Sequence, residues 1–91
     1  MIRIEFTGAY THSLRKLVDE YTLVRKNVDI AVNQFRKNPK DTRLYTHALK
    51  KRMKGKYAFS VSDDIRIIFV WLGKSTARFL AIGKHKEVYG H

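Results

Sequence analysis

Arg66 stands inside the most apolar stretch of the chain, IRIIFVW, where a cation needs a reason. On a strand it shares one face with Ile68 and Val70, while Ile65, Ile67, Phe69 and Trp71 take the other. Its stem can pack on that face while its head reaches water. Alternatively the strand holds it as a phosphate clamp, because guanidinium is planar, permanently charged and bidentate. His85 lies in GKHK between Lys84 and Lys86, and an imidazole takes or gives a proton near neutral pH. Its alternative is an ordinary surface histidine. Tyr89 follows four residues later, with a ring suited to stacking on a base or to packing the C-terminal tail on the core. His47 precedes Lys50, Lys51, Arg52, Lys54 and Lys56, five cations within seven positions. That run reads either as one wall of an anion-binding groove or as a solvated loop.

The chemistry open to these residues is narrowed by what is missing. There is no cysteine, which removes disulfides, thiolate catalysis and Cys-based zinc sites. Asp63 and Asp64 sit side by side in a turn, and no histidine has a partner at helical i, i+4 spacing, so no metal and no cofactor are expected. No P-loop, dinucleotide fingerprint or serine-triad motif occurs. A site of His, Arg, Lys and Tyr without a metal suits phosphodiester chemistry on RNA. The substrate's own 2′-hydroxyl is then the nucleophile, and the protein supplies a base, an acid and cationic stabilisation of the phosphorane.

Charge points the same way. The 91 residues carry a formal +11, divided into +3 over residues 1–42 and +8 over residues 43–91. A polyanion, with nucleic acid the commonest, is the partner such a balance favours, and the second half is its expected face. No apolar run reaches the length of a membrane helix, and the N-terminus lacks the profile of a signal peptide, so the expected setting is the cytoplasm, without a membrane partner.

Elements able to position these residues follow from periodicity. Ile2, Ile4 and Phe6 alternate with Arg3 and Glu5, a half-buried strand over residues 1–6 that Gly8 breaks. From Thr11 the spacing of Leu14, Leu17, Val18 and Tyr21 predicts an amphipathic helix with Thr11 or Ser13 as N-cap. A second helix is expected from Asn27, through Val28, Ala31, Val32 and Phe35, until Asn38 and Pro39 stop it. The link between them has no Gly or Pro, so they form a hairpin or one long bent helix, and the hairpin is the preferred reading. Residues 39–56 show no period and read as a basic loop. Strands then follow over 57–61, 65–72 and 76–82, joined by turns at Asp63 and Asp64 and at residues 73–75. Residues 1–91 thus make one domain of α+β class: an N-terminal strand, a helical hairpin and an antiparallel three-stranded meander.

Three segments carry a resemblance to a known family. DDIRIIFVW resembles the arginine-bearing strand of the RelE/ParE superfamily, the toxins of bacterial type II toxin–antitoxin modules. FLAIGKHKEVYG is similar to its C-terminal strand with the following His or Arg and the terminal tyrosine, and HALKKRMKGKYAFSVS to the joining stretch of the RelE-like and YafQ-like branches. The resemblance implies a toxin fold and a ribosome-dependent mRNA endonuclease that cuts in the A site, leaving a 2′,3′-cyclic phosphate or its product and a 5′-hydroxyl. It would have Arg66 hold the scissile phosphate, His85 act as general acid or base, and Tyr89 stack on or orient the nucleotide. His47 and Asp64 match a histidine and an aspartate of YafQ-like members, and Lys54 is offered as a match to a catalytic lysine of RelE-like ones. Where YafQ-like toxins place a second histidine, this chain has Ser60 or Val61, so the identity of the base stays open.

The partners implied are the ribosome and its mRNA, and a cognate antitoxin that wraps the toxin in a hetero-oligomer and covers the basic site. Lys50, Lys51, Arg52, Lys54, Lys56, Lys84 and Lys86 are the expected RNA-binding cations. Two other functions fit the same sequence. One is a ParE-like inhibitor of DNA gyrase, disfavoured because ParE-like members lack the set formed here by His85 and Tyr89. The other is a non-catalytic RNA-binding module that uses only the basic groove.

Overall fold

In the computed structural model residues 1–89 are described, with the side chains of Glu87 and Tyr89 outside the description. Strand β1 (Arg3–Phe6) is followed at once by helix α1 (Gly8–Glu20). The helix begins three residues before the expected Thr11, because Thr7 is the cap. Its Oγ1 accepts from the Tyr10 N–H at 3.0 Å and donates to the Phe79 carbonyl at 2.8 Å, closing an orphan helix donor and tying the cap to the sheet. Gly8 therefore opens the helix rather than ending the strand.

The hairpin reading holds, with a break at residues 21–23. The N–H of Tyr21 still reaches the Leu17 carbonyl, and the Val24 N–H reaches that of Tyr21. Helix α2 (Val24–Lys37) starts three residues before Asn27 and has no side-chain cap. Burial decides this start: Val24, Val28, Ala31 and Phe35 form one buried stripe, and packing of that stripe outweighs the preference for a polar cap. Asn38 and Pro39 end the helix as expected, with the Asn38 N–H on the Gln34 carbonyl.

Beneath the hairpin lies one five-stranded sheet of order β1-β5-β4-β3-β2. β3 (Tyr57–Ser60), β4 (Ile65–Trp71) and β5 (Thr76–Lys84) form the expected meander. β1 joins it parallel to β5, with Arg3 beside Thr76 and Phe6 beside Phe79. β2 (His47–Ala48) pairs antiparallel with β3 at the other edge. The segment read as a basic loop thus contains a strand, together with 3₁₀ turns at Thr42–Leu44 and Lys51–Met53. A two-residue strand has no period to read. β5 also runs two residues past Ile82, so Gly83 lies within the strand, opposite Arg66, and His85 opens a short helix, α3 (His85–Tyr89).

The core is aromatic. Phe35, Phe59, Phe69 and Phe79 are fully buried, with Phe35 stacked on Phe59 at 4.6 Å and edge-on to Phe69 at 4.9 Å. Each such ring contributes about 1.5–3 kcal/mol by burial, and the edge-on and offset pairs add to that. Between Ile68 and Phe69 the pairing of β4 with β5 shifts register. Among the described residues no helix is long and apolar enough to cross a membrane.

Candidate functional site

Alternation along β4 sends Ile65, Ile67 and Phe69 into the core under the helices and Arg66 to the opposite face. There its cross-strand neighbours are Ser60 on β3 and Gly83 on β5. Gly83 presents no side chain beside the arginine stem. The guanidinium is anchored rather than left to solvent: Nη1 donates to the carbonyls of Ser62 at 2.7 Å, Asp63 at 3.1 Å and Ile65 at 3.2 Å. All three bonds use one nitrogen, so Nε and Nη2 keep their donors for an anion.

A cavity of about 500 Å³ opens beside it, lined by His47, Lys50, Lys51, Arg52, Arg66 and His85 together with Leu49 and Met53. Its described walls hold four permanent cations and two imidazoles and no carboxylate. The wall from Leu49 to Lys56 is a built arch: the Leu49 N–H donates to the Lys56 carbonyl, and the N–H groups of Met53, Lys54 and Lys56 are bonded within the segment. Lys51 takes a left-handed conformation, φ 57°, which costs a non-glycine residue local strain.

His47 is oriented by its own chain. Its Nδ1 lies 2.7 Å from the Tyr45 carbonyl. A carbonyl only accepts, so Nδ1 carries the proton and the neutral ring offers Nε2 as acceptor. Tyr45, itself left-handed at φ 50°, follows the turn capped by Asp41, whose carboxylate takes the backbone N–H and the guanidinium of Arg43. Those bonds hold the Asp41 carboxyl down to about 2, so the cap is charged across the physiological range. A second cavity of about 440 Å³ shares Arg66 and His47 and adds Arg43, Tyr45, Ser60 and Asp63.

The structure thus gathers Arg66, His85 and His47 with Lys50, Lys51 and Arg52, and leaves the other candidates outside that cavity. Lys84 turns away: β5 continues to it, and alternation puts it on the helix side with Ile82. Its ammonium donates to the Tyr21 hydroxyl and lies over that ring, and this bond raises its pKa. Lys54 and Lys86 are exposed and Lys56 half-buried, none of them lining the cavity. Asp64 serves through its backbone, its carbonyl accepting the His85 N–H at 3.0 Å. The Tyr89 side chain lies outside the described residues. Tyr45 is not legible in the sequence, where an aromatic two positions before a histidine carries no signal until its backbone is seen to turn left-handed. Among the described residues no three His, Asp or Glu side chains gather as metal ligands.

No protein-family model matches this sequence, and no curated protein matches it significantly. Solved structures do match in fold. YafQ from Escherichia coli strain BL21(DE3) superposes with a TM-score of 0.80 at 21% identity over 99% of this chain and 100% of that one. YafQ in the E. coli DinJ-YafQ toxin-antitoxin complex gives 0.75 at 22% identity, over 98% of each chain. A YoeB/ParE toxin from Agrobacterium tumefaciens gives 0.75 at 10% identity, over 92% of this chain and 99% of that one. The chain therefore has the fold of the RelE/YafQ-like toxins.

Proposed function

We propose that this protein is the toxin of a type II toxin–antitoxin module, an endoribonuclease that cleaves mRNA in the ribosomal A site without a metal. The observation that carries the reading is the cavity in which Arg66, His47 and His85 meet three further cations and, among the described residues, no carboxylate. A fold shared with toxins solved alone and in an antitoxin complex supports it.

Arg66 holds the scissile phosphate through Nε and Nη2 while the turn carbonyls fix Nη1, so its charge is in place before the phosphorane forms. His47 takes the proton of the 2′-hydroxyl at Nε2. The 2′-oxygen attacks phosphorus, the bond to the 5′-oxygen breaks, and His85 protonates that leaving oxygen. The products are a 2′,3′-cyclic phosphate and a 5′-hydroxyl, and no redox partner is required. Asp64 positions His85 through its carbonyl, and Lys50, Lys51 and Arg52 neutralise flanking phosphates. The ribosome with its mRNA is the substrate partner. A cognate antitoxin covers the basic face in a hetero-oligomer, and the toxin gains stability on binding it by mass action.

Purified protein added to a programmed ribosome, with mRNA ends mapped by primer extension, tests this reading. Discrete A-site cuts lost in His85→Ala are expected. Intact mRNA in every lane overturns it, and loss of gyrase supercoiling in a parallel assay would then identify a ParE-like activity.

A further inference from the structure

Edge strand β2 separates two cavities. His47 shares the face of Arg66, whereas Ala48, beside Tyr57 in the ladder, looks to the helix side. There a cavity of about 650 Å³ opens, lined by Pro39, Lys40, Tyr45, His47, Tyr57 and Trp71 among others. Its walls are mainly apolar, and its size falls within the range of small-molecule sites. Two of its rings are backed by the core: Trp71 stacks on Phe35 at 5.9 Å and Tyr57 on Phe69 at 5.6 Å. They form a platform that rests on the core rings.

Tyr45 is the third ring. It is 73% exposed, so burial does not account for it, and it is held left-handed by the turn before it. A strained, exposed aromatic at the mouth of a cavity is a feature of ligand clamps. Tyr45 and His47 line both this cavity and the one that contains Arg66 and Ser60. A single strand lying at Arg66 therefore reaches the aromatic cavity by passing over an edge only two residues long.

We propose that this cavity binds the base of a nucleotide flanking the scissile phosphate, stacked on the rings of Tyr45, Tyr57 and Trp71. The proposal rests on the ribonuclease reading for the strand's direction of entry. Aromatic stacking tolerates any base; among the described residues Lys40 stands on these walls to meet a phosphate, and the Asp41 carboxylate beside it is already held by the Arg43 guanidinium. The subsite therefore grips the strand without reading its sequence.

Trp71 is the only tryptophan, so its emission reports occupancy. The probes are a 2′-O-methyl trinucleotide, which cannot be cleaved, and three versions of it made abasic at one position each. Saturable quenching by the full trinucleotide, lost with one of the abasic versions, is the expected result. Tyr45→Asn, which suits a left-handed backbone, is expected to weaken binding roughly five- to a hundredfold. Equal quenching by all four probes, or full affinity in Tyr45→Asn, overturns the subsite. So does absence of quenching in a protein that cleaves mRNA, which leaves the cavity to an apolar protein segment. Base-dependent quenching in a protein that cleaves nothing upholds the subsite and sinks the ribonuclease reading instead.

Discussion

The main-chain N–H of His85 donates to the carbonyl of Asp64 at 3.0 Å, and so ties the start of α3 to the turn that also carries the Arg66 guanidinium. Carbonyls of Ser62, Asp63 and Ile65 hold Nη1 of Arg66, while the one between them, that of Asp64, holds His85. A four-residue turn thereby fixes the Arg66 guanidinium and the backbone of His85, nineteen positions apart in sequence. Positioning of this kind is what a transition state repays, because no reorganisation is needed when charge develops.

In the proposed reaction His47 and His85 take opposite proton roles, so their variants should differ in more than rate. His85→Ala is expected to lower cleavage on ribosomes by about 10² to 10⁴, with the residual activity no longer falling at high pH. His47→Ala should cost a similar factor and remove the rise at low pH. Single-turnover rates from pH 5 to 9 distinguish the two. Identical pH profiles in both variants would refute the assignment.

Among the described residues the Arg66 head is bonded only to the carbonyls of Ser62, Asp63 and Ile65, and in the proposed reaction it serves the phosphate and not the core. Arg66→Ala should abolish cleavage while the protein still melts in one cooperative transition. Arg66→Lys keeps the charge but loses the bidentate fork, so it should recover only a small part of the rate. A collapsed melting transition in Arg66→Ala would assign the residue to packing.

Lys50, Lys51 and Arg52 line the cavity, whereas Lys54 and Lys86 do not. Replacing the first three by glutamine should flatten the salt dependence of binding to a 2′-O-methyl oligonucleotide, by about 0.7 in slope for each phosphate that is no longer neutralised. The Lys54→Gln, Lys86→Gln double variant should leave the slope unchanged. The reverse pattern would move the RNA path off this cavity.

Tyr10 carries a stability signature of its own. Burial pushes its hydroxyl from 10.0 up to about 12, so the folded state holds that proton more tightly than the unfolded chain. The stabilisation is complete below pH 10 and is lost as pH rises toward 12. Tyr10→Phe should therefore flatten the fall of the melting temperature between pH 10 and 12. Calorimetry of both proteins checks this, and parallel curves would refute it.

Much of the fold was legible because its signals are local. Ile2, Ile4 and Phe6 alternate, Leu14, Leu17, Val18 and Tyr21 recur at helical spacing, and Arg66 stands out in an apolar strand. Periods of 2 and 3.6 follow from the geometry of a single segment, and so does the sign of the charge on each half of the chain. The parallel pairing of β1 with β5, by contrast, joins residues 73 positions apart. β2 is too short to have a period, and the end of β5 was set by its ladder with β4. That extension of β5 turned Lys84 toward Tyr21 and left Gly83 beside Arg66. Composition and period thus determined which residues were candidates for a polyanion site. Which cations share a cavity with Arg66 and His85, and which face away, was decided only by strand pairing, because the side a residue faces depends on where its strand ends and what lies beside it.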